Sequence, residues 1–468
     1  MVASIKLPRI TLSPRIKKKR RDFLKDHASD IPDLVSSLTS GDEEEPPTTS
    51  SGGGRSQQLA GITDVGSYLL SFDVGTPPQR VSGVLLDINS DLVWTQCGCP
   101  HHCKSTTSGG GTLFYPNKSS TISKEPSCKS SVCQSFSLSR NQTTSCSSSN
   151  DELCFFSDRY IVGNTTGVLA TDKFRFGGGG DPVDVVFGCG ILVSTDDLFG
   201  GVSGVIGLGR GPFSLVSQLG DGRFSYYFAP DGDDEDDDTS STHSFVHFSG
   251  DAKPKTTLPL STPLLETNAH PKFYYVGLTS IRVDGEDLPI PTGTFDLDEN
   301  DGSGGVILSI TIPVTFLVKS AYTLLREALV SKIGVPRSKK ALGGLDLCYT
   351  NESLVKIPAV ALVFDGGMVM ELDKGNYFYS DAESGLECLT ILPSSKASLL
   401  GGLIQEGTHM VYDVRGNKLQ FESLKFDDEP APAPPQPADS SSSNGWCWSS
   451  QPLVYSNFVW VVLVYVIC

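Results

Sequence analysis

Short apolar runs broken by turn residues dominate the middle of the chain. In YLLSFDVGTPPQRVSGVLLD (residues 68–87) two such runs flank Gly75-Thr76-Pro77-Pro78, a pattern that predicts a pair of strands joined by a turn. The pattern continues through VVFGCG and GVSGVIGLGRGPFSLVSQLG, where Ser214 to Leu219 fits one or two helical turns. It restarts at KFYYVGLTSIRVDGEDLPIP. One longer helix is predicted in KSAYTLLREALVSKIGVP: Tyr322, Leu325, Leu329 and Ile333 share a face, and Gly334 and Pro336 stop it. The halves echo each other. GVLLDINS is answered by GVILSITI, and each half later carries an apolar-apolar-Gly element, Val205-Ile206-Gly207 and Leu399-Leu400-Gly401. Repetition in the same order predicts two similar β lobes. It also sets a chemical question, because the first strand closes on Asp87, and a carboxylate at a buried strand end must be hydrogen-bonded or used.

Composition agrees with many short strands. Among 468 residues there are 48 glycines and 29 prolines, and charged residues make up only 19%. The net charge of −17 argues against nucleic acid as a partner. Part of that charge lies in DGDDEDDD (Asp231 to Asp238), which reads as a solvated loop.

Cysteine usage adds a compartment. Of twelve cysteines, eight fall between Cys97 and Cys189 (Cys97, Cys99, Cys103, Cys128, Cys133, Cys146, Cys154 and Cys189), as in a disulfide-stapled region. Zinc is the competing reading, with His101 and His102 beside them, but the second half of a paired zinc spacing is missing. No metal and no cofactor are therefore expected. Sequons at Asn117, Asn141, Asn164 and Asn351 fit a secreted glycoprotein. The N-terminus conflicts with secretion: it shows a basic run, Lys17 to Arg21, and no apolar signal region, which we read as a mis-assigned first exon. The C-terminus runs through a Pro/Ser-rich spacer to a largely apolar sixteen-residue end, Leu453 to Cys468. Small residues at Ser442, Ser443 and Asn444 before that tail match a lipid-anchor signal, the alternatives being a tail anchor or a frame-shifted end.

YLLSFDVGTPPQ, DLVWTQC, FGCG, GVIGLGRGPFSLVSQL, FYYVGLTSIRVDG and LLGGLIQEGTHMVYDVRGNKLQF together resemble the pepsin-like aspartic proteases, in their plant nepenthesin-like branch. That resemblance implies an all-β bilobal fold with a cleft between the lobes and a β-hairpin flap over it. Mapped onto this chain, residues 1–60 become a leader or pro-like segment, 61–228 the first lobe, 229–427 the second lobe, and 428–468 the spacer and anchor tail. It also implies two carboxylates, one per lobe, that share a proton because like charges so close cannot both ionise. Each sits in a D-T/S-G-S/T loop whose glycine lets the backbone approach the carboxylate and whose hydroxyls brace the loops.

This chain departs from that pattern. Asp87 and Ser90 are retained, but Ile88 and Asn89 replace the hydroxyl residue and the glycine. In the second loop Ser309 stands at the aspartate position, followed by Ile310, Thr311 and Ile312. Ile88 cannot make the bracing bond, and Asn89 is expected to put a Cβ where backbone should approach Asp87. Asp296, Asp298 and Asp301 are expected in a surface loop, too early to substitute for the missing acid. The flap motif reads YIVGNTTG, keeping Tyr160 and Gly167. Tyr227 replaces a cysteine of the relatives, and Cys348 with Cys388 remains as a second-lobe bridge. The expectation is a surface-held or extracellular pseudoprotease. Its cleft would bind a peptide or protein, or its surface another extracellular enzyme, as a monomer. A weak or unusual endopeptidase and a decayed gene copy are the alternatives.

Overall fold

In the computed structural model the described residues are 10–11, 13–14, 68–98, 112–122, 129–139, 153–160, 163–177, 181–194, 202–230, 244–256, 260–353 and 356–424. They belong to one compact unit. The acidic run, Cys99, Cys103, Cys128, Cys146, Asn141, Ser442, Ser443 and Asn444 lie outside the described residues, as do His101 and His102.

Strands dominate, in the bilobal arrangement that the repeated pattern predicts. An eight-stranded sheet gathers the first lobe around the hairpin Tyr68–Val74 and Gln79–Asp87, which pairs antiparallel. An eleven-stranded sheet runs from Phe245–Phe248 and Arg223–Tyr227, through Thr408–Asp413 and Lys418–Ser423, to the second-lobe strands Val306–Leu308, Ser398–Leu400, Thr315–Val318 and Ile391–Ser394. Sheets of four and three strands complete the second lobe. Alternating apolar positions on these strands meet in one large core, which reaches from Phe72 and Phe174 through Tyr226 and Tyr412 to Leu325 and Leu329.

Register makes the internal duplication explicit. Gln79–Asp87 runs parallel to Gly204–Gly207, with Asp87 opposite Gly207. Val306–Leu308 runs parallel to Ser398–Leu400, with Leu308 opposite Leu400, so the next position, Ser309, faces Gly401. Trp94 pairs antiparallel with Val205 and parallel with Gly188. Phe316 repeats both pairings, with Leu399 and Leu392. Gly207 and Gly401 are glycine because the chain crosses them closely: a Cβ at Gly207 would sit 2.5 Å from the Ser90 carbonyl oxygen, and one at Gly401 2.2 Å from that of Val314.

The helices form where predicted. Lys319–Ile333 buries Ala321, Tyr322, Leu325 and Leu329, leaves Ile333 half-buried, and ends at Gly334 in the left-handed conformation (φ 69°). Leu215–Leu219 is a short helix whose Ser214 N-cap accepts from the Ser217 amide. Three disulfides are described, Cys97–Cys189, Cys133–Cys154 and Cys348–Cys388. The first ties the strand Trp94–Gln96 to its parallel neighbour Val183–Ser194, and the last joins directly paired residues of two antiparallel strands.

Candidate functional site

Two loops carry the candidate chemistry, one at the end of each parallel strand pair. In the first, Asp87 is buried at the close of its strand. The Asn89 amide donates to its Oδ1 at 2.9 Å, and the Ser90 hydroxyl donates to its Oδ2. The Asp87 carbonyl accepts from the Leu208 amide at 2.8 Å, which fixes the loop against the Val205-Ile206-Gly207 element. Both carboxylate oxygens thus accept hydrogen bonds from Asp87's own loop, as a buried carboxylate requires.

The second loop has the same frame and different contents. The Ser309 amide donates to the Leu400 carbonyl at 3.0 Å, and the Ser309 carbonyl accepts from the Gln405 side-chain amide at 2.9 Å. The Ser309 hydroxyl, 1% exposed, pairs with the Thr311 hydroxyl at 3.2 Å. Among the described residues no carboxylate occupies this strand end. Asp296, Asp298 and Asp301 lie on the exposed loop ahead of the strand, where Asp298 accepts from Asn300 and Asp301 from the Ser303 amide at 2.9 Å. The Ser303 contacts hold Asp301 below the usual carboxylate range.

Asn89 requires a correction. Its Cβ was expected to keep the backbone from Asp87, yet the Asn89 amide reaches the carboxylate at 2.9 Å. The reason is local. Asn89 is not among the residues with positive φ, so the turn needs no glycine there. Its side chain also does something a glycine could not: Nδ2 donates to the Leu308 carbonyl at 2.9 Å, across 219 residues of sequence. Ile88 and Ile310 occupy the positions where hydroxyls were expected to brace the loops. Both are buried in the same apolar core.

Sequence reasoning missed a polar network beneath the loops. Gln405 donates through Nε2 to the carbonyls of Ser309, Leu400 and Gly401, and accepts from the Tyr226 hydroxyl at 2.5 Å. Tyr226 in turn meets the Tyr412 hydroxyl at 2.9 Å. Tyr274 donates to the Leu208 carbonyl at 2.7 Å, so a second-lobe tyrosine supports the first loop. Burial pushes the phenols of Tyr274 and Tyr412 well above their ordinary range, which keeps them protonated donors. A lone glutamine inside the apolar LLGGLIQ was the available signal, since a buried amide needs several partners.

Around the flap the backbone is clear. Phe155–Tyr160 and Gly163–Phe176 pair antiparallel, with Tyr160 opposite Gly163 across a two-residue connection. The side chains of Tyr160 and Asn164 lie outside the described residues. Asn117 lies in a short turn, Pro116–Lys118, and both Asn117 and Asn351 are exposed. Among the described residues no group of three or more His, Cys, Asp or Glu side chains is placed to hold a metal ion.

Two family models match successive parts of the chain. Residues 68–248 match the xylanase inhibitor N-terminal family model, and residues 273–423 match the xylanase inhibitor C-terminal model. Aspartic proteinase nepenthesin-1 of Nepenthes gracilis is 34% identical over 367 residues, which cover 77% of this chain and 78% of that protein. Aspartyl protease 37 of Oryza sativa subsp. japonica is 31% identical over 394 residues, covering 76% and 80%. Among solved structures, EDGP superposes with a TM-score of 0.59 at 20% identity, covering 76% of this chain and 91% of that one. Basic 7S globulin from soybean does so with a TM-score of 0.56 at 21% identity, covering 77% and 93%. At those identities the structural likeness speaks to the fold alone.

Proposed function

The chain belongs to the plant family of pepsin-like aspartic proteases, and on that premise we propose that it is a catalytically impaired member that binds a peptide or protein ligand between its lobes. The observation that carries this reading is the pair of equivalent strand ends. One presents Asp87 opposite Gly207, and the other presents Ser309 at the position facing Gly401. The family's hydrolysis draws a proton from water with one carboxylate while the other protonates or polarises the scissile carbonyl. A serine hydroxyl can neither hold the charge nor share the proton. Loss of a positioned acid–base group lowers rate by roughly 10²- to 10⁴-fold, and groups that act as a unit fail together. The Ser309 hydroxyl is also engaged with Thr311.

We place the protein outside the cell or on its surface. The three disulfides support an oxidising compartment, and the small residues before the apolar tail support a lipid anchor. Asn117 and Asn351, both exposed, are accessible to glycosylation. The partner is a peptide or a second extracellular protein, an enzyme included, and the chain acts as a monomer.

A second reading, a weak or unusual endopeptidase, is favoured by one observation: Asp87 keeps its burial and its loop hydrogen bonds. Incubation with denatured globin from about pH 2 to 5 separates the two, with and without pepstatin and with folding monitored at each pH. No pepstatin-sensitive cleavage by folded protein is expected. Such cleavage would establish the endopeptidase.

A further inference from the structure

We propose that Asn89 is a positioning residue that locks the two loops together, so that the floor between the lobes is maintained as a fixed surface although one of its acids is absent. Its two nitrogens work in opposite directions. The backbone amide secures Asp87 Oδ1 within the first loop, and Nδ2 secures the Leu308 carbonyl at the root of the second, each at 2.9 Å. Leu308 is the last strand residue before Ser309, and its own amide is committed to the Tyr274 carbonyl at 3.0 Å. The tie therefore acts where the second loop leaves its strand.

Beside this bond both loops bury hydrocarbon in one common apolar cluster. Ile88 is fully buried and Ile310 is 3% exposed, both in one apolar cluster, so neither supplies a hydroxyl for a cross-loop bond. Apolar contact holds the loops close but is non-directional. A hydrogen bond fixes direction and register. The Asn89 side chain accepts a penalty for it, because its Oδ1 is buried without a partner among the described residues. A residue placed only to fill space would be apolar here. The inference stands whether or not the wild-type chain cleaves peptides.

Amide hydrogen exchange on the full chain tests it. Asn89→Gly should speed exchange at Leu308 and Ser309 by roughly five- to tenfold, the worth of one buried hydrogen bond, while the helix Lys319–Ile333 keeps its rates. Should Asn89→Gly unfold the protein globally, Asn89→Asp keeps the shape and sets an oxygen against the Leu308 carbonyl, and it should give the same local pattern. Positioning is separated from bulk stability in a Ser309→Asp background. There Asn89→Gly should weaken pepstatin binding by roughly tenfold relative to Ser309→Asp alone, and Ile88→Thr with Ile310→Thr should restore it. Unchanged loop exchange in Asn89→Gly and Asn89→Asp, or tighter pepstatin binding once the glycine is present, would overturn the assignment.

Discussion

Ser90 and Ser309 are both buried serines in the paired loops, and their neighbours make them unequal. Ser90 donates to a carboxylate, whereas Ser309 shares a longer hydroxyl contact with Thr311. Hydrogen bonds to charged groups contribute about 1.5–3 kcal/mol and neutral ones about 0.5–1.5 kcal/mol. Ser90→Ala should therefore destabilise by about 2 kcal/mol and Ser309→Ala by about 1 kcal/mol or less, measured by denaturant unfolding. Equal losses would mean that Ser309 does more than fill the place of an acid. At this scale the family resemblance pointed to Ser309 as the counterpart of Asp87, and the registers place the two at equivalent strand ends. It did not reveal what Asn89 does. A side chain's reach across the lobes depends on a turn geometry that one residue name cannot specify.

Elements were more legible than their neighbours in space. Apolar alternation located the hairpin of residues 68–87, and a four-residue stripe located the helix Lys319–Ile333, because both signals are local. Sheet order was not legible. Arg223–Tyr227 pairs with Thr408–Asp413, and nothing local to either segment encodes that choice. The second-lobe bridge lies between these cases. Cys348 and Cys388 were recognisable as a pair, and in the structure they face each other directly on antiparallel strands. Replacing both by alanine removes a cross-link across 40 residues, and a loop of that length implies a loss of about 4 kcal/mol. A calorimetric or denaturant comparison checks this, and a loss under about 1 kcal/mol would show that the strand pairing alone holds the three-stranded sheet.

For the molecule as a whole, acid should be unfavourable. His409 and Glu422 face each other at 3.0 Å on the paired strands Thr408–Asp413 and Lys418–Ser423. Burial lowers the His409 pKa, overriding the pull of Glu422 in the other direction. Burial works to raise Glu422, but hydrogen bonds from Thr256, His409 and the Lys255 amide prevail and leave it below its ordinary value. A histidine that resists protonation when folded loses stability as pH falls through its unfolded value near 6.5. A carboxylate with a depressed pKa loses its contribution further down, as pH falls below about 4.5 toward its folded value. Both signs agree, so unfolding free energy should decline from pH 7 to pH 4. His409→Gln should flatten the part above about pH 5, as read from denaturant midpoints at each pH. An unaltered slope in that variant would assign the acid sensitivity to other groups.

Gly207 and Gly401 mark places where a loop segment crosses the backbone too closely for any side chain. That restriction belongs to the crossing and is indifferent to chemistry. It works as an address: it states where in each lobe a functional group would be delivered, and it stays legible after the delivery has changed. The segments 68–248 and 273–423, which match the family models, contain one such address each. The proposed loss of chemistry turns on these two. For any chain built on this frame, the informative residues are the two that face those glycines, and here they read aspartate and serine.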